Sequence, residues 1–111
     1  MAIFSTHLLS SIDGSHASNV SIEIHKTDKN NNKSLFLKEF TDENGRLIKE
    51  FNLSKEDCES DYEMLINIGD YFKSNNIINF ISIKFKMKDT EKKYHVPLII
   101  SPNGYSVWWS K

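Results

Sequence analysis

Apolar residues recur at every second position along most of this chain. Val20, Ile22 and Ile24 alternate with Ser21, Glu23 and His25. Tyr62, Met64, Ile66 and Ile68 alternate with Glu63, Leu65 and Asn67, and Ile81, Ile83, Phe85 and Met87 with Ser82, Lys84, Lys86 and Lys88. Tyr94, Val96, Leu98 and Ile100 form a fourth set. Period two sends successive side chains to opposite faces of a strand, so each run offers one face to a core and one to water. Shorter runs at 4–9, 35–40, 46–51 and 105–109 predict further strands. Turn residues separate them: Asp13-Gly14, Asn30-Asn31-Asn32, Asn44-Gly45 and Pro102-Asn103-Gly104. Only the stretch 70–75 predicts a helix, with Asp70 as its N-cap. About eight strands and one short helix in 111 residues predict an all-β, two-sheet antiparallel sandwich. That length predicts a single domain over 1–111.

Charge narrows the partners. Lys plus Arg number 14 and Asp plus Glu 15, a net charge of -1, which argues against nucleic acid, whose binders carry a strongly basic face. The Lys84, Lys86, Lys88 stripe reads as the solvated face of an edge strand. Apolar runs such as Ile77-Ile78 and Ile99-Ile100 are far short of the ~20 residues a membrane span needs. The N-terminus lacks the pattern of a secretory leader. Cys58 is the sole cysteine and lies between acidic neighbours that raise a thiol's pKa. The expected compartment is therefore the cytoplasm, with the periplasm and organelles left open.

Two features ask for chemistry. His95 sits in the otherwise apolar strand Tyr94-His95-Val96-Pro97-Leu98, and a strand imidazole is either a satisfied polar group or a proton carrier. Arg46 is the only Arg beside 13 Lys, and Lys cannot copy a planar fork of donors. Pro97 lacks an N–H, which predicts an edge, a bulge or a residue turned from the ladder. His16 and His25 read as solvent-facing. His7 and His95 show no HxH or HxxxH spacing, so no metal site is expected.

The run from Tyr94 to Ser106 resembles the C-terminal signature of the transthyretin-like family, in its 5-hydroxyisourate hydrolase branch. Ser5-Thr6-His7-Leu8-Leu9, Thr41-Asp42-Glu43-Asn44-Gly45-Arg46, and Tyr62-Glu63 with Gly69-Asp70-Tyr71-Phe72 resemble its other motifs, in the family's order. The resemblance implies an eight-stranded sandwich assembled as a homotetramer, a dimer of dimers, with sites in the channel between dimers. It implies hydrolytic ring opening of 5-hydroxyisourate, a small-molecule substrate, to a ureidoimidazoline carboxylate in urate breakdown, with no cofactor. It assigns catalysis to His7, Arg46 and His95, and substrate contacts to Arg46, Trp108 and Ser110. Hydrolysis of an amide-like bond needs an activated water, a stabilised oxyanion and a protonated leaving nitrogen. Two imidazoles and one guanidinium suit those tasks.

The tail departs from the family pattern. Trp108-Trp109-Ser110-Lys111 stands where Tyr-Arg-Gly-Ser is typical, so a phenol and a cation are lost. Two readings stand: a hydrolase with a modified tail, or a non-catalytic relative binding a planar molecule or a protein partner in the channel.

Overall fold

Alternation does set the architecture. The computed structural model describes residues 1–73 and 77–109. In chain order the elements are β1 (Ala2–Ser10), β2 (Ser21–Thr27), β3 (Lys33–Phe40), β4 (Arg46–Phe51), α1 (Lys55–Glu59), β5 (Asp61–Asn67), α2 (Ile68–Phe72), β6 (Phe80–Phe85), β7 (Lys93–His95), β8 (Leu98–Ser101) and β9 (Gly104–Val107). They form two sheets. One runs β4-β1-β8-β9, with β7 also paired to β1; the other runs β3-β2-β5-β6.

The sheets face each other through their apolar residues. Phe4 and Leu8 of β1 and Leu98 and Ile100 of β8 share one core with Ile22, Ile24, Met64, Ile66 and Ile81, all exposed by 1% or less. Burying each such side chain contributes about 1.5–3 kcal/mol before entropy is charged. Within one sheet Phe36 meets Tyr62 edge-on at 5.2 Å and Phe85 stacks on Tyr62 at 5.6 Å, and Phe85 crosses to the other sheet by stacking on Phe4 at 5.1 Å. Inward polar groups are satisfied. Thr6 donates to the Val96 carbonyl at 2.7 Å. The Thr41 hydroxyl accepts from the Val20 amide and donates to the Ala17 carbonyl.

Three sequence expectations are corrected. The run from Tyr94 to Ile100 is two strands, because Pro97 has no amide hydrogen and the ladder breaks there. Of the alternatives for Pro97, the sheet edge fails for β8, which pairs with β1 on one side and β9 on the other, and a residue outside the ladder holds. The helix begins at Ile68 and not at Asp70: the Asn67 side chain accepts from the Asp70 amide and is the N-cap, and Lys73 closes the helix in a left-handed conformation. The predicted end of that helix, 74–75, lies outside the described residues. An unpredicted helix, α1, is held by a capping box between Ser54 and Asp57. Within the sandwich β1 runs parallel to β7 and β8, a direction that alternation cannot reveal. Lys84 of β6 and Lys86 just beyond it are exposed, and β6 is an edge strand, as the stripe predicted. Among the described residues no helix is long and apolar enough to cross a membrane.

The tightest backbone crossing lies at Gly45, where φ is +72° and an added Cβ would stand 2.5 Å from the Leu8 carbonyl oxygen. Both the positive φ and the contact disfavour any side chain. Gly45→Ala is therefore expected to destabilise the fold by about 2 kcal/mol or more, read as a lowered denaturant midpoint. An unchanged midpoint would refute this crossing.

Candidate active site

The turn before β4 delivers Arg46. Asp42 accepts from the Asn44 and Arg46 amides through Oδ1, both at 2.9 Å. Its backbone accepts from Gly45 and donates to Arg46. An Asp side chain bonded to amides further along is the usual Asx-turn device. The Arg46 amide bond, helped by the neighbouring Arg46 and His7 charges, keeps the Asp42 carboxyl below its ordinary range. With the turn closed, Arg46 opens β4 directly opposite His7 on β1. Opposed side chains in an antiparallel pair lie on one face with Cβ atoms about 4.5–5.5 Å apart.

β1 sends its even residues inward: Ala2, Phe4, Thr6, Leu8 and Ser10 are buried, and Ser5 and His7 fall on the outer face between them. On the other side of β1, His95 of β7 stands opposite Ser5. The Ser5 hydroxyl and His95 Nδ1 are hydrogen-bonded at 2.8 Å. This bond orients the ring and leaves Nε2 unused by it. Arg46, His7 and His95 thus occupy one face across three adjacent strands, a span of about 10 Å at the usual strand spacing. All three are at least partly accessible. Ser5 lies within the N-terminal motif, but nothing in sequence marked it as a partner of His95.

His7 has a second neighbour that sequence reasoning set aside. Its Nε2 lies 3.0 Å from Nδ1 of His16, and the rings stack at 5.1 Å with planes 28° apart. His16 is exposed, as expected, but it is not an isolated solvent-facing residue. A bridge between Leu9 and His16 folds its loop back along β1. Burial first, then the Arg46 guanidinium and His16, hold His7 below the ordinary imidazole value of 6.5; a backbone hydrogen bond at Asn44 opposes them, and His95 adds a smaller lowering. His25 lies on the other sheet, only 21% exposed, with Glu23 at 3.4 Å. It is half-buried and not solvent-facing.

Trp108 extends the β8–β9 ladder: its amide donates to the Pro97 carbonyl at 3.3 Å, two residues beyond His95. Trp108 is also among the residues lining a cleft of about 810 Å³ with Tyr94, Phe85 and Trp109. None of His7, Arg46 and His95 lines that cleft, so this opening is not where the imidazoles gather. Ser110 lies outside the described residues. Cys58 is partly buried, and burial more than its acidic neighbours raises its thiol pKa. Among the described residues no group of three or more His, Cys, Asp or Glu side chains is placed to hold a metal ion.

An outer face carrying one guanidinium and two imidazoles on a two-sheet sandwich points to a defined lineage. The profile of the HIUase/Transthyretin family matches residues 4–109, and the chain belongs to that family. A 5-hydroxyisourate hydrolase of Halalkalibacterium halodurans is 31% identical over 110 residues, covering 93% of this chain and 92% of the relative. Among solved structures, an (S)-allantoin synthase superposes with a TM-score of 0.83 at 22% identity; the match covers 99% of this chain but 44% of that one. Sea bream transthyretin in complex with thyroxine superposes with a TM-score of 0.78 at 17% identity, covering 96% of this chain and 93% of that one. Proteins of different function share this fold, so the fold alone does not choose among them.

The electrostatics of His7 can be read directly. In a proton NMR titration the His7 ring is expected to titrate below 6.5, and Arg46→Met is expected to raise that midpoint by removing a nearby cation. The sign for stability follows. His7's contribution is fully present above the unfolded value, and it is lost as pH falls through the lower folded value, because the unfolded chain then binds the proton more readily. A His7 midpoint at or above 6.5 would contradict this placement.

Proposed function

We propose that residues 1–111 form a single domain that hydrolyses 5-hydroxyisourate, opening its ring to a ureidoimidazoline carboxylate. The observation that carries this reading is the gathering of His7, Arg46 and His95 on one sheet face, in a family member 31% identical to a named hydrolase. Arg46 binds the carbonyl or enolate oxygen through paired N–H donors and holds the oxyanion that forms when water adds. His7, kept neutral near pH 7, takes the proton of the attacking water. His95, with Nδ1 held by Ser5, presents Nε2 to protonate the leaving nitrogen. His7 then returns its proton to solvent and His95 takes one up from it, which restores both rings. The tail supplies substrate contacts through Trp108 and Ser110. As the resemblance implies, four copies assemble as a dimer of dimers, and a facing copy closes this open sheet surface into a channel. Neither metal nor organic cofactor takes part.

Freshly generated 5-hydroxyisourate decays spontaneously, and its ultraviolet absorbance reports any acceleration above that background. Wild-type protein is expected to accelerate the decay. His7→Ala, Arg46→Ala and His95→Ala are each expected to slow the catalysed rate by about 100-fold or more. Wild-type rates in all three would overturn the site. Ser5→Ala is expected to lower kcat by about tenfold with little change in KM, since it loosens the His95 ring without removing it. An unchanged kcat would show that the Ser5 bond orients nothing of consequence. A folded wild-type protein that leaves the background decay unchanged would favour the binding reading instead.

A further inference from the structure

We infer that His16 is the group through which His7 exchanges its proton with solvent. The inference rests on the hydrolase reading and adds a residue that the motif comparison did not assign. Three observations carry it. His16 Nδ1 is 3.0 Å from His7 Nε2, a hydrogen-bond distance between two ring nitrogens. The ring centroids lie 5.1 Å apart with planes 28° apart, which fixes how the two nitrogens face each other. His16 is itself exposed, on a loop tied back to β1 by the Leu9 bridge and by the Ala17 amide donating to the Leu8 carbonyl.

The proposed reaction needs such an exit. Hydrolysis of an amide-like C–N bond makes a carboxylic acid, which is ionised at neutral pH, so each turnover releases one proton. In the proposed resting tautomer His7 donates its Nε2–H to His16 Nδ1, which leaves His7 Nδ1 to act as the base, and the Asn44 backbone favours the protonated ring. As water attacks, an O–H bond of water breaks and the His7 Nδ1–H bond forms. The His7 Nε2–H bond then breaks as the His16 Nδ1–H bond forms, and His16 gives its Nε2 proton to solvent. Both rings end neutral, with their tautomers exchanged; once product leaves, water takes the His7 Nδ1 proton, the His16 Nδ1 proton returns to His7 Nε2 and water protonates His16 Nε2, which restores both. No electrons are transferred. The pair carries one extra proton at most, since two would leave two donors facing each other. Other charged and titratable groups around His7 are Arg46 from β4, His95 from β7 and Asp42 from the preceding turn. Arg46 and His95 disfavour a lasting imidazolium, which favours passing the proton onward. His16 acts through His7 and is in that sense a positioning residue.

The test compares His16→Asn and His16→Ala with wild type in weakly buffered solution. Asn keeps a hydrogen-bonding group near His7 but cannot relay a proton; Ala opens space for a free imidazole. Both are expected to lower kcat by about tenfold or more with KM nearly constant. Added imidazole should restore kcat in His16→Ala in proportion to its concentration, after subtraction of the uncatalysed decay, and leave wild type unaffected. Wild-type kcat in both variants, or a loss that imidazole does not repair, would overturn the relay. A second readout is independent of turnover: in a proton NMR titration His16→Asn should raise the His7 midpoint and leave His95 in place. An unmoved His7 midpoint would sink the pair whatever the activity. If wild-type protein showed coupled rings and no acceleration of 5-hydroxyisourate decay, the hydrolase reading would fall, and the relay with it, while the ring pair stood.

Discussion

β1 is hydrogen-bonded to β4 on one side and to both β7 and β8 on the other, and most of the molecule depends on its register. Its even residues fill the core and its odd residues carry the proposed chemistry. A slip of one residue would expose Phe4 and Leu8 and drive His7 and Ser5 into the interior. Losing two fully buried large side chains costs several kcal/mol, and burying an unsatisfied imidazole costs more. The packing that specifies the strand's register therefore also specifies where His7 stands relative to Arg46 and His95.

A single backbone position ties the surrounding loops to that strand. The Leu8 amide donates to the Gly45 carbonyl, and the Leu8 carbonyl accepts from the Ala17 amide. The turn that delivers Arg46 and the loop that delivers His16 consequently converge beside His7. Gly45 permits this convergence because its missing Cβ leaves room for both the Leu8 carbonyl and Ala17. The side chain of Asp42 then sets the turn without help from the core, since all its bonds are to backbone amides one turn away.

Strands such as β1, β2 and β5 were legible because one face of each is buried, which forces alternation into the sequence. Arg46, His7 and His95 were legible through motifs and through the scarcity of Arg. What could not be read was pairing at a distance. Ser5 and His95 are 90 residues apart, and a serine on a strand's outer face carries no mark of its partner. His16 followed a turn signal at Asp13-Gly14, which correctly predicted a loop but not that the loop would double back along β1. Asp70 looked like a cap because carboxylates favour helix starts. Asn67, whose side chain accepts the Asp70 amide, had already taken that role, and Asp70 serves the first turn instead. Pro97 broke a run that alternation alone would have carried through.

The preference for Arg over Lys at position 46 follows from the same geometry. His7 is its direct cross-strand neighbour, so any cation here must coexist with the imidazole that the proposed reaction uses as a base. A guanidinium spreads its charge over a plane and presents several N–H groups in fixed directions, so it binds an oxyanion without needing to lose a proton. An ammonium beside two imidazoles would be a compact, strongly hydrated charge whose own pKa shifts readily in a partly dry site. It would compete with the histidines for the proton being moved. The guanidinium stays charged throughout, lowers the proton affinity of His7, and leaves proton transfer to the imidazoles, whose titration range lies where the proposed chemistry needs it.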